Sequence, residues 1–255
     1  MAPRKPEFEL RLARDDTDMR ACQRLRYDIF VEELGGDGPL VDHANRLERD
    51  ALDDSYDHLL LIDKAVPGAP VVGVYRLMRG ERLAPGQEFY SAREYDLAPL
   101  VASGRRLLEL GRSCVHRDYR GGPALMTLWQ GLLAYVERHE VEVLFGVASF
   151  HGTDPEALAP ALSLLHYRYL APPELRAKAR ADRAQRMDLL PESAIDRAAM
   201  RGVPPLIKSY LRLGGWVGED AWVDREFNTT DVCIVVDITL VPERIRAAYA
   251  GGAMP

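Results

Sequence analysis

The stretch that decides the fold is LLELGRSCVHRDYRGGPALMTLWQGLL, residues 107–133. Its first part, LLELGRSCV, has the apolar content of a buried strand. A short polar loop with two adjacent glycines follows, and Pro123 then stands at a position favoured in the first turn of a helix. Apolar residues recur after it at helical spacing, namely Leu125, Leu128, Trp129, Leu132, Leu133 and Val136. The stretch therefore predicts a strand, a loop and a helix in immediate succession.

The rest of the chain alternates predicted strands and helices around this stretch. Alternating or continuous apolar runs predict strands at 8–14, 58–63, 71–78, 141–150 and 231–241. Helices are predicted from an Asp15–Asp16 cap to about Glu33, over 155–170, and as a surface extension over 171–202. This order predicts an α/β fold with a mixed central sheet flanked by helices. We expect one domain over 1–255, with a core of about 8–170 and a helical C-terminal extension of about 171–245.

Composition excludes several classes of protein. The 255 residues carry a net charge of −6, which argues against a general nucleic-acid binder. The apolar runs are too short to cross a bilayer, so we expect a cytoplasmic protein, or one resting on the cytoplasmic membrane face. Cys22, Cys114 and Cys233 form no CxxC pair, and the histidines lack metal-ligand spacing. We therefore expect no disulfide framework and no metal site.

The loop of the deciding stretch is a candidate anion site. It contains Arg117, Arg120, Gly121 and Gly122 directly before the helix. The free N–H groups and the dipole of a first helical turn favour an anion, and glycines let the backbone approach a phosphate closely. An ordinary strand-to-helix turn would have the same composition, so the spacing alone leaves both interpretations open.

Two charged residues interrupt the predicted central strand. Glu109 and Arg112 are three residues apart, so a flat strand would point them to opposite faces. A bulge at Gly111 would bring both to the same face. A charge in an apolar strand is costly unless it is paired or functional. We predict that both residues are catalytic, and a buried ion pair is the alternative.

The strand and loop resemble the acyl-donor signature of the GNAT superfamily of N-acyltransferases. Val115, Arg120 and Gly121 match that signature, whereas Pro123 and Leu125 stand where the family has a glycine and a small residue. In GNAT enzymes the same strand bulges where the donor thioester lies. The resemblance therefore implies a GNAT fold, with the donor held by Val115 and the loop that follows it.

Four further motifs resemble one family over about residues 10–245. They are ELGRSCVHRDYR (109–120), ASFHGTDP (148–155), VPPLIKSYLRLGGWVG (203–218) and FNTTDVCIVV (227–236). Together they resemble the ornithine N-acyltransferases, also called hemolysin-like, of ornithine lipid biosynthesis. That family is similar in fold and in carrier use to the acyl-homoserine-lactone synthases.

The resemblance implies a reaction. A 3-hydroxyacyl group would pass from acyl carrier protein to the α-amine of ornithine and give a lyso-ornithine lipid. No tightly bound cofactor is implied; the donor is the acyl-phosphopantetheine of the carrier, held by Val115, Arg117, Arg120, Gly121 and Gly122. The alternatives are an acyltransferase with another acceptor such as glutamine, a CoA-dependent acetyltransferase, an autoinducer synthase and a non-catalytic lipid-binding protein.

The resemblance to the synthases also implies site residues. Glu109 would accept the proton of the attacking amine, because an ammonium cannot attack a thioester. An arginine fork suits the acceptor carboxylate and aspartates suit its distal ammonium. The alternative for the acidic segment RDALDDSYD is a solvated turn. Residues 228–230, which precede the last predicted strand, have a turn as their alternative. The acceptor residues implied are Arg26, Phe30, Asp50, Asp53 and Arg76. To these we add Asn228, Thr229 and Thr230, because they directly precede the last predicted strand.

A basic cluster follows the predicted helix 155–170. Acyl carrier proteins are acidic, so a docking surface should be locally basic. We predict that Arg176, Lys178, Arg180 and Arg183 dock the carrier. Anionic lipid headgroups would suit the same cluster, and a plain solvated surface is the third interpretation.

Overall fold

The structure is a computed structural model that describes residues 5–249. Its strands are β1 (Phe8–Leu12), β2 (Val41–Asp42), β3 (Leu47–Glu48), β4 (Asp57–Asp63), β5 (Val71–Arg79), β6 (Tyr95–Asp96), β7 (Leu107–Val115), β8 (Val143–His151), β9 (Lys178–Ala179), β10 (Ala184–Gln185), β11 (Trp216–Val217), β12 (Ala221–Asp224) and β13 (Thr229–Asp237). Its α-helices are α1 (Asp16–Arg26), α2 (Ala98–Ala102), α3 (Pro123–Arg138), α4 (Pro155–Tyr169), α5 (Ala199–Gly202), α6 (Pro205–Arg212) and α7 (Glu243–Tyr249).

The predicted strand, loop and helix of the deciding stretch are confirmed as β7 and α3. Gly122 caps α3 and Pro123 fills its first turn, where a missing N–H costs nothing. Leu128, Trp129 and Leu132 are buried, as their spacing predicts. A single 3-10 turn over Arg117–Tyr119 separates the strand from the helix.

The first helix begins as expected and then changes geometry. The Asp15 carboxylate accepts hydrogen bonds from the N–H groups of Thr17 and Asp18, both at 3.0 Å, which stabilises the helix by about 1 kcal/mol. After α1 the chain continues as a π-helix over Tyr27–Glu33. The prediction of a helix reaching Glu33 is therefore correct in extent, but its last third is not α-helical.

The chain divides into two compact units. The first comprises 5–78, 110–140 and 243–249 of the described residues, and the second comprises Arg79–Glu109 and Val141–Pro242. β7 belongs to both, since Leu107–Glu109 fall in the second unit and the remainder in the first.

The first unit contains a sheet in the order β1-β4-β5-β7. β1 and β4 are antiparallel, as are β4 and β5. The apolar stripe of α1 packs on this sheet in a buried cluster of Cys22, Leu25, Ile29, Leu60, Ile62, Val74 and Cys114. Full burial of one such leucine stabilises the fold by about 1.5–3 kcal/mol. The apolar side of α1 thus forms part of the core of this unit.

The second unit contains a sheet in the order β7-β8-β13-β12-β10, with β11 also paired to β13. Leu107–Glu109 pair in parallel with Val143–Phe145, and β8 and β13 are antiparallel from Val143 opposite Asp237 to His151 opposite Thr229. The pairing is therefore mixed, as predicted.

The helix expected over 171–202 is wrong. α-Helix appears there only in α5, preceded by 3-10 turns at Pro173–Leu175 and Glu192–Ala194. Prolines at 172, 173 and 191 block a continuous helix. The segment instead supplies β9, which pairs with β6, and β10, which pairs with β12. α6 lies among prolines and glycines and was not predicted from the sequence.

No helix within residues 5–249 has the length and apolar character needed to span a membrane.

Candidate active site

Six charged side chains form a continuous buried network in the first unit. We call it the ion network, and its members are Arg26, Glu48, Asp50, Asp53, Arg76 and Arg112.

Arg26 lies at the end of α1, fully buried between two carboxylates. Its Nε donates to Glu48, and its two terminal nitrogens donate to the two oxygens of Asp53 over 2.9 and 3.0 Å. The Glu48 carbonyl accepts a further hydrogen bond over 2.7 Å. The rigid guanidinium is therefore held in one orientation by the protein itself.

Arg76 and Arg112 bring β5 and β7 into the same network. Arg76 Nη1 donates to Asp50 over 2.8 Å and to Asp53 over 2.9 Å. Arg112 Nε donates to Glu48 over 2.9 Å, and its Nη2 lies 3.6 Å from Asp50 Oδ2. Three arginines and three carboxylates thus alternate, and their formal charges cancel.

The network keeps its two aspartates ionised. Burial by itself would raise the pKa of Asp53, but Arg26 and Arg76 more than offset it and hold that pKa well below its usual range. For Asp50 burial acts in the same direction, and Arg76 and Arg112 overcome it and lower the pKa. Both carboxylates are therefore charged at neutral pH. Removing one partner of a buried pair leaves an uncompensated charge, which costs about 3–5 kcal/mol.

The interpretation of RDALDDSYD (49–57) as a solvated turn is wrong for Asp50 and Asp53, the two aspartates predicted to bind the acceptor. The side chains of Asp50 and Asp53 are only 1% and 2% exposed, whereas Asp54 is exposed. The structure therefore brings four of the predicted acceptor residues together, Arg26, Asp50, Asp53 and Arg76. It adds Glu48, which sequence reasoning missed because its polar neighbourhood has no motif and no periodicity.

The two aspartates differ in what their oxygens contact. Asp53 accepts from two arginines and also from Gln23 Nε2 over 3.0 Å. Asp50 Oδ1 accepts from Arg76 and from the N–H of Leu52 over 2.9 Å. Asp50 Oδ2 is buried and accepts no hydrogen bond from the residues that the structure describes. Asp50 is therefore the member of the network with an acceptor left for a ligand.

The remaining predicted acceptor residues lie elsewhere. Phe30 packs against the apolar cluster under α1. In the second unit, the carbonyl of Asn228 accepts from Gly152 N over 2.8 Å, and Thr230 Oγ1 donates to the Gly152 carbonyl over 2.9 Å. Asn228 has a φ of 51°, and Thr229 begins β13. Residues 228–230 thus hold the start of β13 against the end of β8, as the turn interpretation expects.

Glu109 is buried in β7 and bound by two backbone groups. Its Oε2 accepts from Tyr90 N over 3.0 Å and its Oε1 from Ser91 N over 2.6 Å. Bonds from N–H groups to a carboxylate are short and strong. They fix the carboxylate in one orientation, which a general base requires.

The predicted irregularity in β7 follows directly after Glu109. The parallel pairing with β8 runs from Leu107 to Glu109. Arg112 then adopts a φ of 49°, in the left-handed region, which costs an ordinary residue about 1–2 kcal/mol. The sequence placed the irregularity at Gly111, and the strained residue is its neighbour. Since strain of this kind persists only where surrounding contacts impose it, the bond from Arg112 to Glu48 gives a physical reason for it.

The predicted donor loop forms an open turn at the start of α3. Arg120 Nε donates to the Val115 carbonyl over 2.9 Å, and its terminal nitrogens bind Glu33 over 2.5 and 2.9 Å. Gly121 has a φ of 73°, which favours glycine, and Arg117 is exposed. A cavity of about 390 Å³ adjoins the loop, lined by Asp28, Ile29, Glu32, Glu33, Arg46, His116 and Arg117. Arg120 is thus committed to an acidic partner, and Arg117 is the loop cation exposed to an incoming anion.

The cations predicted to dock a carrier all have partners within the second unit. Arg176 Nε donates to the Ala171 carbonyl over 2.7 Å, and Lys178 pairs with Glu219 over 2.6 Å. Arg180 Nε donates to the Ala92 carbonyl over 2.6 Å. The Arg183 guanidinium lies 5.0 Å from the centre of the Trp222 ring.

Comparison with known proteins places the chain in a family. It is 57% identical to the L-ornithine N(alpha)-acyltransferase of Rhodobacter capsulatus over 98% of this chain and 97% of the relative. It is 43% identical to the enzyme of the same name from Agrobacterium fabrum, over 96% and 86% of the two chains. The chain belongs to this family. Residues 25–130 also match the model of the acetyltransferase (GNAT) domain, which confirms the fold class and the family expected from the motifs.

Solved structures support the fold at low identity. FeeM, an N-acyl amino acid synthase from uncultured soil microbes, superimposes with a TM-score of 0.52 at 12% identity, over 92% of this chain and 93% of that one. BjaI, a CoA-dependent acyl-homoserine lactone synthase, gives 0.53 at 16% identity, over 95% and 88%. This family of acyltransferases therefore shares the overall fold of both kinds of synthase.

Proposed function

We propose that this protein transfers a fatty acyl group from the phosphopantetheine thioester of acyl carrier protein to the α-amine of ornithine. The amine nitrogen forms a bond to the thioester carbonyl carbon, the carbon–sulfur bond breaks, and the carrier thiol leaves with a proton. The product is a lyso-ornithine lipid. Relatives named for ornithine acylation, matched over almost the whole chain, support the acceptor.

The observation that carries the proposed mechanism is the Glu109 carboxylate, fixed by two backbone N–H groups at the residue where β7 stops pairing with β8. A free amino acid carries an ammonium at neutral pH, so a base must accept one proton before attack. Glu109 takes that proton in our proposal and passes it to the departing thiolate, and the second proton that the nitrogen loses on becoming an amide is released to solvent. No covalent enzyme intermediate is required.

We assign recognition of the acceptor to the ion network. An arginine fork suits the α-carboxylate of ornithine, and Arg112 is the least buried arginine of the network, with a side chain 12% exposed. The Asp50 oxygen that accepts no hydrogen bond suits the distal ammonium. Asp53 already has three side-chain donors and holds the network in shape.

We place the donor phosphate at the loop before α3. Gly121 and Gly122 keep the backbone open, and the first turn of α3 favours an anion. Arg117 contributes an exposed positive charge. The chain lacks the later glycines of the GNAT signature, and a phosphopantetheine arm depends on them less than a CoA pyrophosphate does.

The test is thiol release from a 3-hydroxyacyl carrier protein, with ornithine, glutamine, lysine, glycine and no acceptor in parallel. Release that depends on ornithine, with the N-acyl product identified by mass spectrometry, is the expected result. Release with another amino acid would keep the mechanism and replace the acceptor. Consumption of acetyl-CoA without release from the carrier would overturn the donor assignment.

A further inference from the structure

One segment of the second unit has a charge opposite to that of the whole protein. The net charge is −6, yet the chain from Arg197 to Gly218 contains four cations and no carboxylate. These cations are Arg197, Arg201, Lys208 and Arg212. We call them the basic face.

The basic face is built on two short helices. Lys208 and Arg212 are one turn apart on α6, so their side chains lie on the same side of that helix. Lys208 Nζ donates to the carbonyl of Arg201 over 3.2 Å, which brings α5 and α6 together at these residues. The other three cations are exposed.

None of the four has a carboxylate within 4.0 Å among the side chains that the structure describes. Arg105, Arg120, Arg168 and Arg186 differ in this respect, because each is paired with a carboxylate. An unpaired cation is fully available to an external anion, while a paired one must first break its contact. The basic face therefore offers four such cations, whereas Lys178 of the predicted docking cluster is already paired with Glu219.

The basic face lies against α4, the helix that follows β8. A Cβ at Gly202 of α5 would lie 3.5 Å from the Ala161 side chain of α4, so the two helices pack closely. α4 itself begins four residues after β8 ends, with Asp154 as its cap. A partner docked on α5 and α6 would thus contact the helix layer that follows β8.

We propose that the basic face docks an acidic protein surface, which under the proposed function is that of the acyl carrier protein. An acidic helix of a carrier supplies the complementary charge. A membrane is disfavoured because surface insertion needs exposed apolar side chains beside the cations. The large apolar side chains exposed in the described part of the chain are all outside Arg197–Gly218, namely Leu34, Val101, Met126, Tyr167 and Leu240.

The experiment compares two double charge reversals in the full-length protein. Arg201→Glu/Arg212→Glu alters the basic face. Arg20→Glu/Arg138→Glu is the control, because it changes the net charge equally at exposed cations of α1 and α3. Binding of holo-acyl carrier protein is measured by fluorescence anisotropy at two salt concentrations. KM values are measured for acyl carrier protein, acyl-pantetheine and ornithine.

The expected result is a loss of about 5- to 50-fold in carrier affinity for the basic-face variant, with a reduced salt dependence and a matching rise in the carrier KM. Its KM for acyl-pantetheine and ornithine should equal that of the wild type, as should its melting temperature. Equal losses in both variants, or no loss in the first, would overturn the docking site. Loss of binding to anionic vesicles with unchanged carrier affinity would assign the face to a membrane instead.

The binding measurement separates this inference from the proposed function. Carrier binding that depends on the basic face, without transfer to any amino acid, would support docking and contradict the function. Transfer from the carrier with unchanged affinity in the variant would support the function and contradict docking.

Discussion

At the scale of single residues, the two charges on β7 have different described partners. The Glu109 carboxylate accepts hydrogen bonds from the N–H groups of Tyr90 and Ser91. Arg112, three residues later, donates a hydrogen bond to Glu48 and has a strained backbone with a positive φ. The sequence pointed to both residues because a charge within an apolar strand demands an explanation.

Glu109→Gln should lower turnover by about 10²–10⁴-fold, because an amide cannot accept the ammonium proton. The amide also presents an NH₂ group to one of the two backbone donors, so the melting temperature must be measured beside kcat. Glu88→Gln is the control, because Glu88 is an exposed glutamate two residues before Tyr90, whose N–H binds Glu109. A folded Glu109→Gln enzyme with wild-type turnover would remove the base assignment.

Cys114 provides a second prediction at this scale. The thiol is 7% exposed within the apolar cluster, and burial raises its pKa well above the usual range, so it stays protonated at neutral pH. Cys114→Ala should keep kcat within about threefold while lowering stability by about 1 kcal/mol for the lost packing. Abolished turnover in a variant with a normal melting temperature would instead indicate a nucleophile.

At the scale of elements, backbone contacts explain the glycines of the motif LGGWVG (213–218). Gly214 has a φ of 86° and ends α6, with its N–H donating to the Leu211 carbonyl over 3.0 Å. A Cβ at Gly215 would lie 2.8 Å from the carbonyl oxygen of Tyr210, and one at Gly218 only 2.6 Å from that of Ala177. The glycines therefore permit close backbone approach between α6, β11 and the segment before β9.

Gly218→Ala should destabilise the protein by about 1–3 kcal/mol, because the clashing atom belongs to the backbone and cannot rotate away. The matched control is Gly202→Ala, whose Cβ would meet Ala161 at an ordinary 3.5 Å and which sits in a helix, where alanine is favoured. Urea unfolding of both variants measures the difference. Equal stability of the two would contradict the close approach at Gly218.

At the scale of the whole molecule, the buried carboxylates make stability depend on pH. The pKa values of Asp50 and Asp53 are lower in the folded protein than the ordinary value of 3.8. The stabilisation they provide is therefore complete above that value and is lost as the pH falls below it. The charged partners that face them are Arg26, Arg76 and Arg112.

The free energy of unfolding should accordingly be nearly constant between pH 5 and 7 and decrease below about pH 4. Asp53→Asn should cost about 3–5 kcal/mol at pH 6, since Arg26 and Arg76 lose a buried partner, and should show a smaller decrease at acidic pH. Asp54→Asn is the control, because that side chain is exposed. Identical acid profiles for the wild type and Asp53→Asn would show that the ion network does not govern acid stability.

The sequence by itself determined the order of the main strands and helices, the bounds of β7 and the family. Apolar periodicity and helix caps depend on residues close together in sequence, and the motifs are continuous stretches of sequence, so all three could be identified without coordinates. The prolines at 172, 173 and 191 already argue against a continuous helix over 171–202. Only the tertiary structure showed that the segment supplies β9 and β10, because their partners β6 and β12 are distant in sequence. It alone revealed Glu48, since a buried ion pair is formed by residues from different elements. It also showed which described cations have a carboxylate partner, because the sequence does not reveal which charged side chains the fold brings together.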